Sequence, residues 1–281
     1  MKSYVREHVQ VLKEQDSQVR KGMPNSVHLM RIATRRLRSA MAIYRKILDR
    51  DFVNNLREEL KWLGLILGTQ RDAEVMRQRI RELIAAEPTE LDLELTRWID
   101  EQLEADFAVA HLAVLKTLDD ERYSRLLEGL DVLLTAPLLT DLASKPTKKI
   151  VSDLVRNDWK RLRRAVRASE KISISHDFAL HEVRKCAKGL RYTTEIATLA
   201  HLSHANRLAE AAEQIQTILG DYHDSVVARA LLRRLGTQAH ARGLDDFNYG
   251  WLYAFEERNA ERSEIQFRKA WKHFPSGSLK M

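Results

Sequence analysis

The sequence predicts an all-α protein built from two related halves. Apolar residues recur at helical spacing along almost the whole chain, for example at Leu56, Leu60, Leu63 and Leu67. Strand-like alternation is rare, and only ten glycines and five prolines interrupt the 281 residues. In addition, two segments of the first half recur in the second half with their charged positions kept, which indicates an internal repeat.

The repeated segments are rich in basic residues. The run His28-Leu-Met-Arg31-x₃-Arg35-Arg36-Leu37-Arg38 recurs 153 positions later as His181-Glu-Val-Arg184-x₃-Lys188-Gly189-Leu190-Arg191. Likewise, Leu67-Gly68-x-x-Arg71-Asp72 recurs 152 positions later as Leu219-Gly220-x-x-His223-Asp224. Repeated apolar residues would only indicate that both halves fold, whereas repeated charges indicate that the charges have a function.

Local signals predict where the motif helices begin and end. Asn25 or Ser26 is placed to cap the first motif helix, and Asp177 has the same position before the second. Gly68 and Gly220 are interpreted as residues that end a helix. The aspartates four residues later, Asp72 and Asp224, would then cap the following helix or pair with a motif arginine.

Proline-containing segments predict the larger divisions. Residues 87–90 break the first half, and two such segments bracket a connector near residues 136–147. We therefore predict a first helical repeat over 1–136 and a second over 147–281, each with four or five helices that suit a bundle. Eight aromatic residues between Phe247 and Phe274 are expected to pack in the core and between helices.

Basic residues are concentrated in two runs. Lys and Arg number 47 against 40 Asp and Glu, giving a net charge of +7. Ser17 to Leu48 contains eight Lys or Arg and no acid, and Trp159 to Ser169 contains five and no acid. Such density on a folded chain creates a local field that attracts anions.

On helices of 3.6 residues per turn, these basic residues fall into stripes separate from the apolar faces. The first stripe comprises His28, Arg31, Arg35, Arg38 and Arg45, apart from a packing face of Leu29, Ala33, Leu37 and Met41. The second comprises His181, Arg184, Lys188 and Arg191, apart from Val183, Ala187 and Leu190. A third comprises Arg156, Lys160, Arg163 and Arg167, flanked by Arg164, and a weaker one Arg6, Lys13 and Arg20.

A linear array of guanidinium and ammonium groups favours a linear polyanion as ligand. The stripes contain neither base-reading amides nor stacking aromatics, so an anion that offers only phosphates, such as inorganic polyphosphate, is favoured over nucleic acid. Nucleic-acid binding and docking of an acidic protein to a scaffold stay open as alternatives. A bound polyanion would favour the charged forms of His28 and His181, so we expect tighter binding at lower pH.

Other function classes find less support. Cys186 is the single cysteine, so no intrachain disulfide can form, and nothing marks it as a nucleophile. No signal-peptide core and no apolar run of about 20 residues is present, so we expect a cytoplasmic protein without a membrane partner. His223-Asp224, followed by His240 and by Asp245 or Asp246, could suggest a metal-dependent phosphohydrolase, but their spacing matches no metal site. We therefore expect no metal, no cofactor and no catalysis.

The two basic motifs, the second of them ending at Tyr192, and the two Leu-Gly-x-x-(Arg/His)-Asp segments together resemble the CHAD domain, the conserved histidine α-helical domain. The resemblance spans nearly the whole chain. It implies two four-helix bundles related by pseudo-twofold symmetry around a shared basic cavity, binding of inorganic polyphosphate, and association with polyphosphate granules in bacteria. It carries the binding role to His28, Arg31, Arg35, Arg38, His181, Arg184, Lys188 and Arg191.

His223 departs from the first half, where Arg71 stands. The Glu-x-Glu-x-Lys motif of the triphosphatase domain often fused to this family is absent, so the chain is expected to be a standalone binding module.

Overall fold

The computed structural model describes residues 2–44, 48–86, 93–135, 147–171, 175–199, 204–244 and 246–275. These residues form nine α-helices and no strand, which confirms the predicted all-α class. The helices are α1 (Lys2–Arg20), α2 (Ser26–Tyr44), α3 (Arg50–Ala85), α4 (Leu93–Leu118), α5 (Glu121–Thr135), α6 (Thr147–Ser169), α7 (His176–Leu199), α8 (Ala205–His240) and α9 (Phe247–Lys272). The predicted break at 87–90, Arg45, Asp245 and most of the predicted connector at 136–147 lie outside the described residues.

The chain divides into two compact units. Unit 1 comprises Met1–Val75 with Glu104–Ile150, and unit 2 comprises Met76–Leu103 with Val151–Met281. The end of α3 and the beginning of α4 thus belong to unit 2, although they lie in the first half of the sequence. The predicted repeats over 1–136 and 147–281 describe similarity along the sequence, and that division stays a prediction.

The apolar face of the first motif helix forms part of the core of unit 1. α2 packs against α1, and Met30, Leu37 and Met41 on α2 are fully buried. Leu29, which we assigned to the same face, is 42% exposed because it lies at the edge of that face, one residue from His28. The periodicity therefore predicts the packing face correctly except at its margin.

Unit 2 is organised around the long helix α8. Both α7 and α9 pack against α8, and Val183 and Leu190 of α7 are completely buried as predicted. An ion pair with the buried Glu256 joins α3 to α9. Arg79 of α3 donates to both carboxylate oxygens of Glu256 at 2.8 and 2.7 Å. Arg79 also donates to the hydroxyl of Ser225 on α8 at 2.7 Å.

Asn25 stands at the N-cap position of α2, as one of the two predicted alternatives, whereas Asp177 does not cap α7. Asn25 adopts a positive φ of 62° and its carbonyl accepts the first helical hydrogen bond, from Leu29 N–H at 2.9 Å. The Ser26 hydroxyl donates to the Met23 carbonyl and so does not cap α2. The prediction for Asp177 was wrong, because α7 begins at His176, and the Asp177 carboxylate accepts a hydrogen bond from the Tyr222 hydroxyl at 2.5 Å instead.

The aromatic residues near the C-terminus do not all pack in the core. Tyr249, Phe267 and Phe274 are buried as expected. Phe247 and Trp251, in contrast, are 74% and 38% exposed, so the expectation of packing is wrong for these two residues. They point away from the apolar side of α9 because Tyr249 and Leu252 occupy that side.

Within the part of the chain that the structure describes, no helix combines the length and the apolar character needed to cross a membrane.

Candidate functional site

The first motif helix presents its basic residues on the side opposite its buried face. His28, Arg31 and Arg35 are half-buried, whereas Arg38 is exposed and makes no ion pair with any described residue. The half-buried position keeps each charge near solvent while its stem packs against the helix and its neighbours. The stripe predicted from the sequence is therefore accessible from its first turn to Arg38.

Arg31 is positioned by a glycine of the neighbouring helix α3. A Cβ atom at Gly68 would lie 3.3 Å from Nη2 and 3.4 Å from Nε of Arg31, so the guanidinium rests directly on the α3 backbone. Asp72, one turn further along α3, approaches the same guanidinium at 3.6 Å. The pairing of Asp72 with a motif arginine was one of our two sequence interpretations and is confirmed.

The interpretation of Gly68 and Gly220 as helix C-caps was wrong. Gly68 lies in the middle of α3 and Gly220 in the middle of α8. A glycine inside a helix costs about 1 kcal/mol relative to alanine, so it needs a reason. At Gly68 the reason is close approach, because a Cβ atom there would crowd the guanidinium of Arg31, whereas at Gly220 the motif arginine lies at ordinary van der Waals distance.

The same contact occurs in unit 2. A Cβ atom at Gly220 would lie 3.7 Å from both Nε and Nη2 of Arg184 on α7. Arg184 corresponds to Arg31 and Gly220 to Gly68, so each unit contains one motif arginine resting on one helical glycine. Sequence reasoning noticed all four residues but not their contact, and the shared spacing of 152–153 residues was the signal that could have suggested it.

The motif histidines occupy matching places beside these arginines. His28 is close enough to Arg71 on α3 for that charge to affect its ionisation. In unit 2, the ring of His181 lies 4.6 Å from the ring of His223 on α8, centroid to centroid. Positions 71 and 223 thus face the motif histidine in their own units, and the substitution of Arg by His between them keeps a group that can carry positive charge.

Burial and neighbouring cations both act on the histidines. Burial lowers the pKa of His28, and the positive charges of Arg71 and Arg35 lower it further. Burial likewise lowers the pKa of His181, with His223 and Arg184 acting in the same direction. Both imidazoles therefore favour the neutral form in the free protein, which keeps positive charges from accumulating when no anion is bound.

Several buried nitrogen atoms in this arrangement lack a hydrogen-bond partner among the described residues. Nε of Arg31, Nε of Arg184 and Nδ1 of His181 make no hydrogen bond with any described residue. A buried donor without an acceptor costs about 1–3 kcal/mol, so native structures seldom keep one without a purpose. An anion with several oxygen atoms would supply acceptors for the Nε atoms of Arg31 and Arg184.

The other predicted binding residues of α7 and α3 differ in whether acidic side chains pair with their positive charges. Arg191 is paired with Glu195 at 3.0 Å and with Glu213 at 2.9 Å. Arg71 is paired with Glu74 at 2.7 Å. Lys188 is half-buried on the α7 stripe. Arg191 would therefore have to exchange two carboxylates for a ligand, which reduces its net contribution to binding.

The α6 stripe lies on a different side of unit 2 from the α7 stripe. Asp158 of α6 accepts a hydrogen bond from Thr193 of α7 at 2.6 Å, which identifies the sides on which these helices meet. At 100° per residue, the α6 stripe lies about 140–200° around α6 from Asp158, and the α7 stripe lies well away from Thr193 on α7. The structure therefore does not join the two stripes into one surface within this unit.

The residues of the α6 stripe are all exposed. Lys160, Arg163 and Arg167 extend into solvent, and the guanidinium carbon of Arg163 lies 5.3 Å from the ring centroid of Trp159. Arg156 approaches Asp153 at 3.6 Å, and Nε of Arg164 donates to the carbonyl of Lys160 at 3.3 Å. These groups form an open cationic surface without the buried donors of the motif helices.

The weaker stripe on α1 is largely compensated within unit 1. Lys13 is paired with Asp131 at 2.6 Å. Arg20 is paired with Asp16 at 2.6 Å and with Asp119, and it donates to the carbonyl of Leu118. Arg6 alone of the three is exposed without an ion pair to a described residue. The contacts of Lys13 and Arg20 hold α1 to its neighbours.

Among the described residues, no group of three or more His, Cys, Asp or Glu side chains is arranged to hold a metal ion. His240 and Asp246, which the sequence placed near a hypothetical metal site, instead pair with each other at 3.2 Å.

Comparison with known proteins places these features in a family. A family model described as the CHAD domain matches residues 3–233. Two curated relatives from Mycobacterium tuberculosis, the uncharacterized proteins MT2285 and Rv2226, are each 32% identical over 268 residues. The alignment covers 95% of this chain and 51% of each relative, so the chain spans about half the length of the curated relatives it matches.

Two solved structures share the fold. PptA from Streptomyces chartreusis has a TM-score of 0.78 at 18% identity, covering 96% of this chain and 97% of its own. The CHAD domain from the plant Ricinus communis has a TM-score of 0.69 at 21% identity, covering 98% of this chain and 91% of its own. At these identities the likeness concerns the fold alone.

Proposed function

Because the chain belongs to the CHAD domain family, we propose that it binds inorganic polyphosphate through the basic motifs on α2 and α7. In this proposal, the binding residues of unit 1 are His28, Arg31, Arg35 and Arg38, supported by Arg71. Those of unit 2 are His181, Arg184, Lys188 and Arg191, supported by His223. The ligand is a linear chain of phosphates, which offers oxygen acceptors and negative charge at regular intervals.

The observation that carries this proposal is the arginine held on a glycine in each unit. Arg31 and Arg184 are half-buried against Gly68 and Gly220, with an Nε that has no acceptor among the described residues. A guanidinium held in this way offers its remaining donors in a fixed geometry that suits bidentate contact with phosphate. A mobile surface arginine would lose more side-chain entropy on binding.

The remaining basic residues have a secondary role in this proposal. Lys160, Arg163 and Arg167, with Arg156 and Arg164, form an exposed surface that would attract the polymer over a distance limited by salt screening. Arg6 would act similarly, whereas Lys13 and Arg20 are held by acids of unit 1 and would contribute least. Substitution of these residues should affect binding less than substitution of Arg31 or Arg184.

We propose further that the chain is a binding module without catalytic activity, located in the cytoplasm and recruited to polyphosphate granules. The histidines and arginines of the motifs can bind and position phosphates, and the carboxylates beside them, Asp72 and Glu74, are engaged by Arg31 and Arg71. Incubation of the protein with polyphosphate and Mg²⁺ should release no orthophosphate. Release that is lost with Arg31→Ala would contradict this part of the proposal.

A direct titration tests the proposed ligand. Purified protein is titrated with long-chain polyphosphate at two salt concentrations, with duplex DNA as competitor at matched phosphate concentration. The proposal predicts tight binding that weakens with salt and that DNA does not displace, because the sites fit phosphate chains and not base edges. Easy displacement by DNA would indicate a general polyanion surface and favour the nucleic-acid or scaffold alternatives.

A further inference from the structure

The outward side of α9 carries aromatic residues in its first half and basic residues in its second. We call this surface the α9 strip and define it as Phe247, Trp251, Phe255, Arg258, Arg262 and Lys269. At 100° per residue these six residues lie within an arc of about 80°, and the same arc contains Ile265, which is 55% exposed. At 1.5 Å per residue the strip is about 33 Å long. All of it lies beyond residues 3–233, so the family match does not account for it.

The aromatic half of the strip is accessible. Phe247 is 74% exposed and Trp251 is 38% exposed, whereas the opposite side of α9 packs through Tyr249 and Leu252. The rings of Trp251 and Phe255 lie 5.8 Å apart between centroids, with 29° between their planes. Large aromatic side chains arranged along one exposed helix side mark a binding surface more often than a solvated one.

The cations in the second half of the strip have no ion-pair partner among the residues that the structure describes. Arg258, Arg262 and Lys269 are exposed and form no ion pair with any described residue. The acids of this stretch lie outside the arc, where the exposed Glu261 borders it by about 40° and two others are already engaged. Glu257 approaches Arg229 at 3.6 Å, and Glu264 pairs with His176 and Arg268. The surface thus offers three cations to a negatively charged ligand.

From this combination of stacking rings and unpaired cations, we infer that the α9 strip binds single-stranded nucleic acid. Bases stack on exposed aromatic side chains, and the connected phosphates pair with cations further along the same groove or ridge. Polyphosphate has no ring to stack and would gain nothing from Trp251. The inference does not rest on the polyphosphate proposal, since it concerns different residues and a different helix.

A membrane surface is the main competing partner, and the layout of the strip disfavours it. A helix that lies in a membrane interface carries its apolar residues on one side along its length and its cations on another. Here the cations follow the aromatics on the same side, so Arg258 and Arg262 would be driven toward the acyl chains together with Trp251. A single strand presents a base and a phosphate at every nucleotide, so it can stack on the aromatic half of the strip and pair with the cations of the other half.

Fluorescence anisotropy with labelled oligo(dT) tests the inference. The double variant Phe247→Ala/Trp251→Ala should bind oligo(dT) about tenfold or more weakly, because each base stacked on an aromatic contributes strongly to affinity. Its affinity for polyphosphate should be unchanged. Phe178→Ala, which removes a 57% exposed aromatic of α7, is the matched control and should change neither affinity.

The arginines of the strip are tested separately, through the salt dependence of oligo(dT) binding. Arg258→Ala and Arg262→Ala should each reduce the slope of log affinity against log salt by about 0.7, the value for one phosphate contact on a single strand. Arg233→Ala, an exposed arginine of α8, serves as the control. If Phe247→Ala/Trp251→Ala fails to fold, Phe247→Ala alone and the arginine variants still decide the matter.

Three results would overturn the inference. The first is that the wild-type protein does not bind oligo(dT). The second is that Phe178→Ala weakens oligo(dT) binding as much as the strip variants do. The third is that Trp251→Ala leaves oligo(dT) binding intact and abolishes binding to vesicles of anionic phospholipid, which would identify a membrane surface. In contrast, retained oligo(dT) binding by Arg31→Ala/Arg184→Ala would support two independent sites.

Discussion

The guanidinium of Arg31 lies so close to Gly68 that a Cβ atom at residue 68 would sit 3.3 Å from Nη2. Arg184 and Gly220 are in the same relationship at 3.7 Å. The tight contact gives a reason for a glycine in the interior of α3, and the recurring Leu-Gly segment places Gly220 of α8 beside Arg184 in the same way. The contact at Gly68 is tight and the contact at Gly220 is at ordinary van der Waals distance, so the same substitution at the two glycines can be compared.

Alanine at the two glycines should separate stability from binding. Gly220→Ala meets only an ordinary van der Waals contact, so it should stabilise the protein by about 0.4–1 kcal/mol and leave polyphosphate binding unchanged. Gly68→Ala must push the Arg31 guanidinium aside by a few tenths of an ångström, so it should weaken binding with a smaller gain in stability. Urea denaturation and polyphosphate titration of both variants check this, and equal effects on binding would contradict it.

Polyphosphate binding should strengthen as pH falls from about 8 to 5.5. In the free protein, burial and nearby cations hold the pKa of His28 and His181 below the ordinary value of about 6.5. A bound polyanion raises both pKa values, so binding takes up protons between the free and bound values. Calorimetry in buffers of different ionisation enthalpy measures that uptake.

The variant His28→Gln/His181→Gln provides the control for this pH dependence. It should bind at high pH about as the wild-type protein does and should lose most of the strengthening at low pH. A variant with the wild-type pH profile would show that other groups are responsible.

The free protein should lose stability in mild acid, and polyphosphate should restore it. A histidine whose folded pKa is depressed contributes stability above its unfolded pKa of about 6.5, and that stability is lost as pH falls through the folded value. Besides His28 and His181, burial also lowers the pKa of His8. Thermal unfolding at several pH values, with and without polyphosphate, should show a ligand-induced rise in Tm that grows as pH falls.

The buried pair Arg79–Glu256 should be structural and independent of binding. Glu256 is 1% exposed and accepts both hydrogen bonds from Arg79. Arg79→Ala would leave this carboxylate buried without its partner, at a cost of about 3–5 kcal/mol of unfolding free energy. Chemical denaturation measures the loss, while polyphosphate affinity at a temperature where the variant is folded should stay at the wild-type value.

Removing an apolar residue of the motif helices should likewise affect stability and not the ligand contacts. Leu37 and Leu190 are completely buried, so Leu37→Ala or Leu190→Ala should each cost about 2–5 kcal/mol. Urea denaturation checks the magnitude. A cost well below 1 kcal/mol would mean that the motif helices are less tightly packed than the structure shows.

The sequence allowed prediction of what depends on helical periodicity, and less of what depends on tertiary contact. Leu37 and Leu190 could be placed in the core because their spacing fits the apolar face of a helix. Gly68 and Gly220 were misinterpreted because glycine usually signals a helix end, and only the approach of an arginine from another helix explains them. Similarly, the partner Glu213 of Arg191 comes from α8, at no fixed sequence spacing.

The aromatic residues of α9 illustrate the same limit. Their composition favours packing, and Tyr249 and Phe267 are indeed buried. Phe247 and Trp251 differ only in the side of the helix that they occupy, and which side is covered depends on how α9 packs on α8. Composition alone contains no information on that choice.

Polyphosphate titration of Arg31→Ala/Arg184→Ala beside Arg125→Ala/Arg233→Ala decides whether the glycine-supported arginines bind the ligand. The control pair removes two exposed arginines, one from each unit, outside the motif helices. We expect the motif variant to lose most of its affinity and to show a shallower salt dependence, with the helical circular dichroism of the wild-type protein. Equal affinities in the two variants, or unfolding of the motif variant alone, would contradict it.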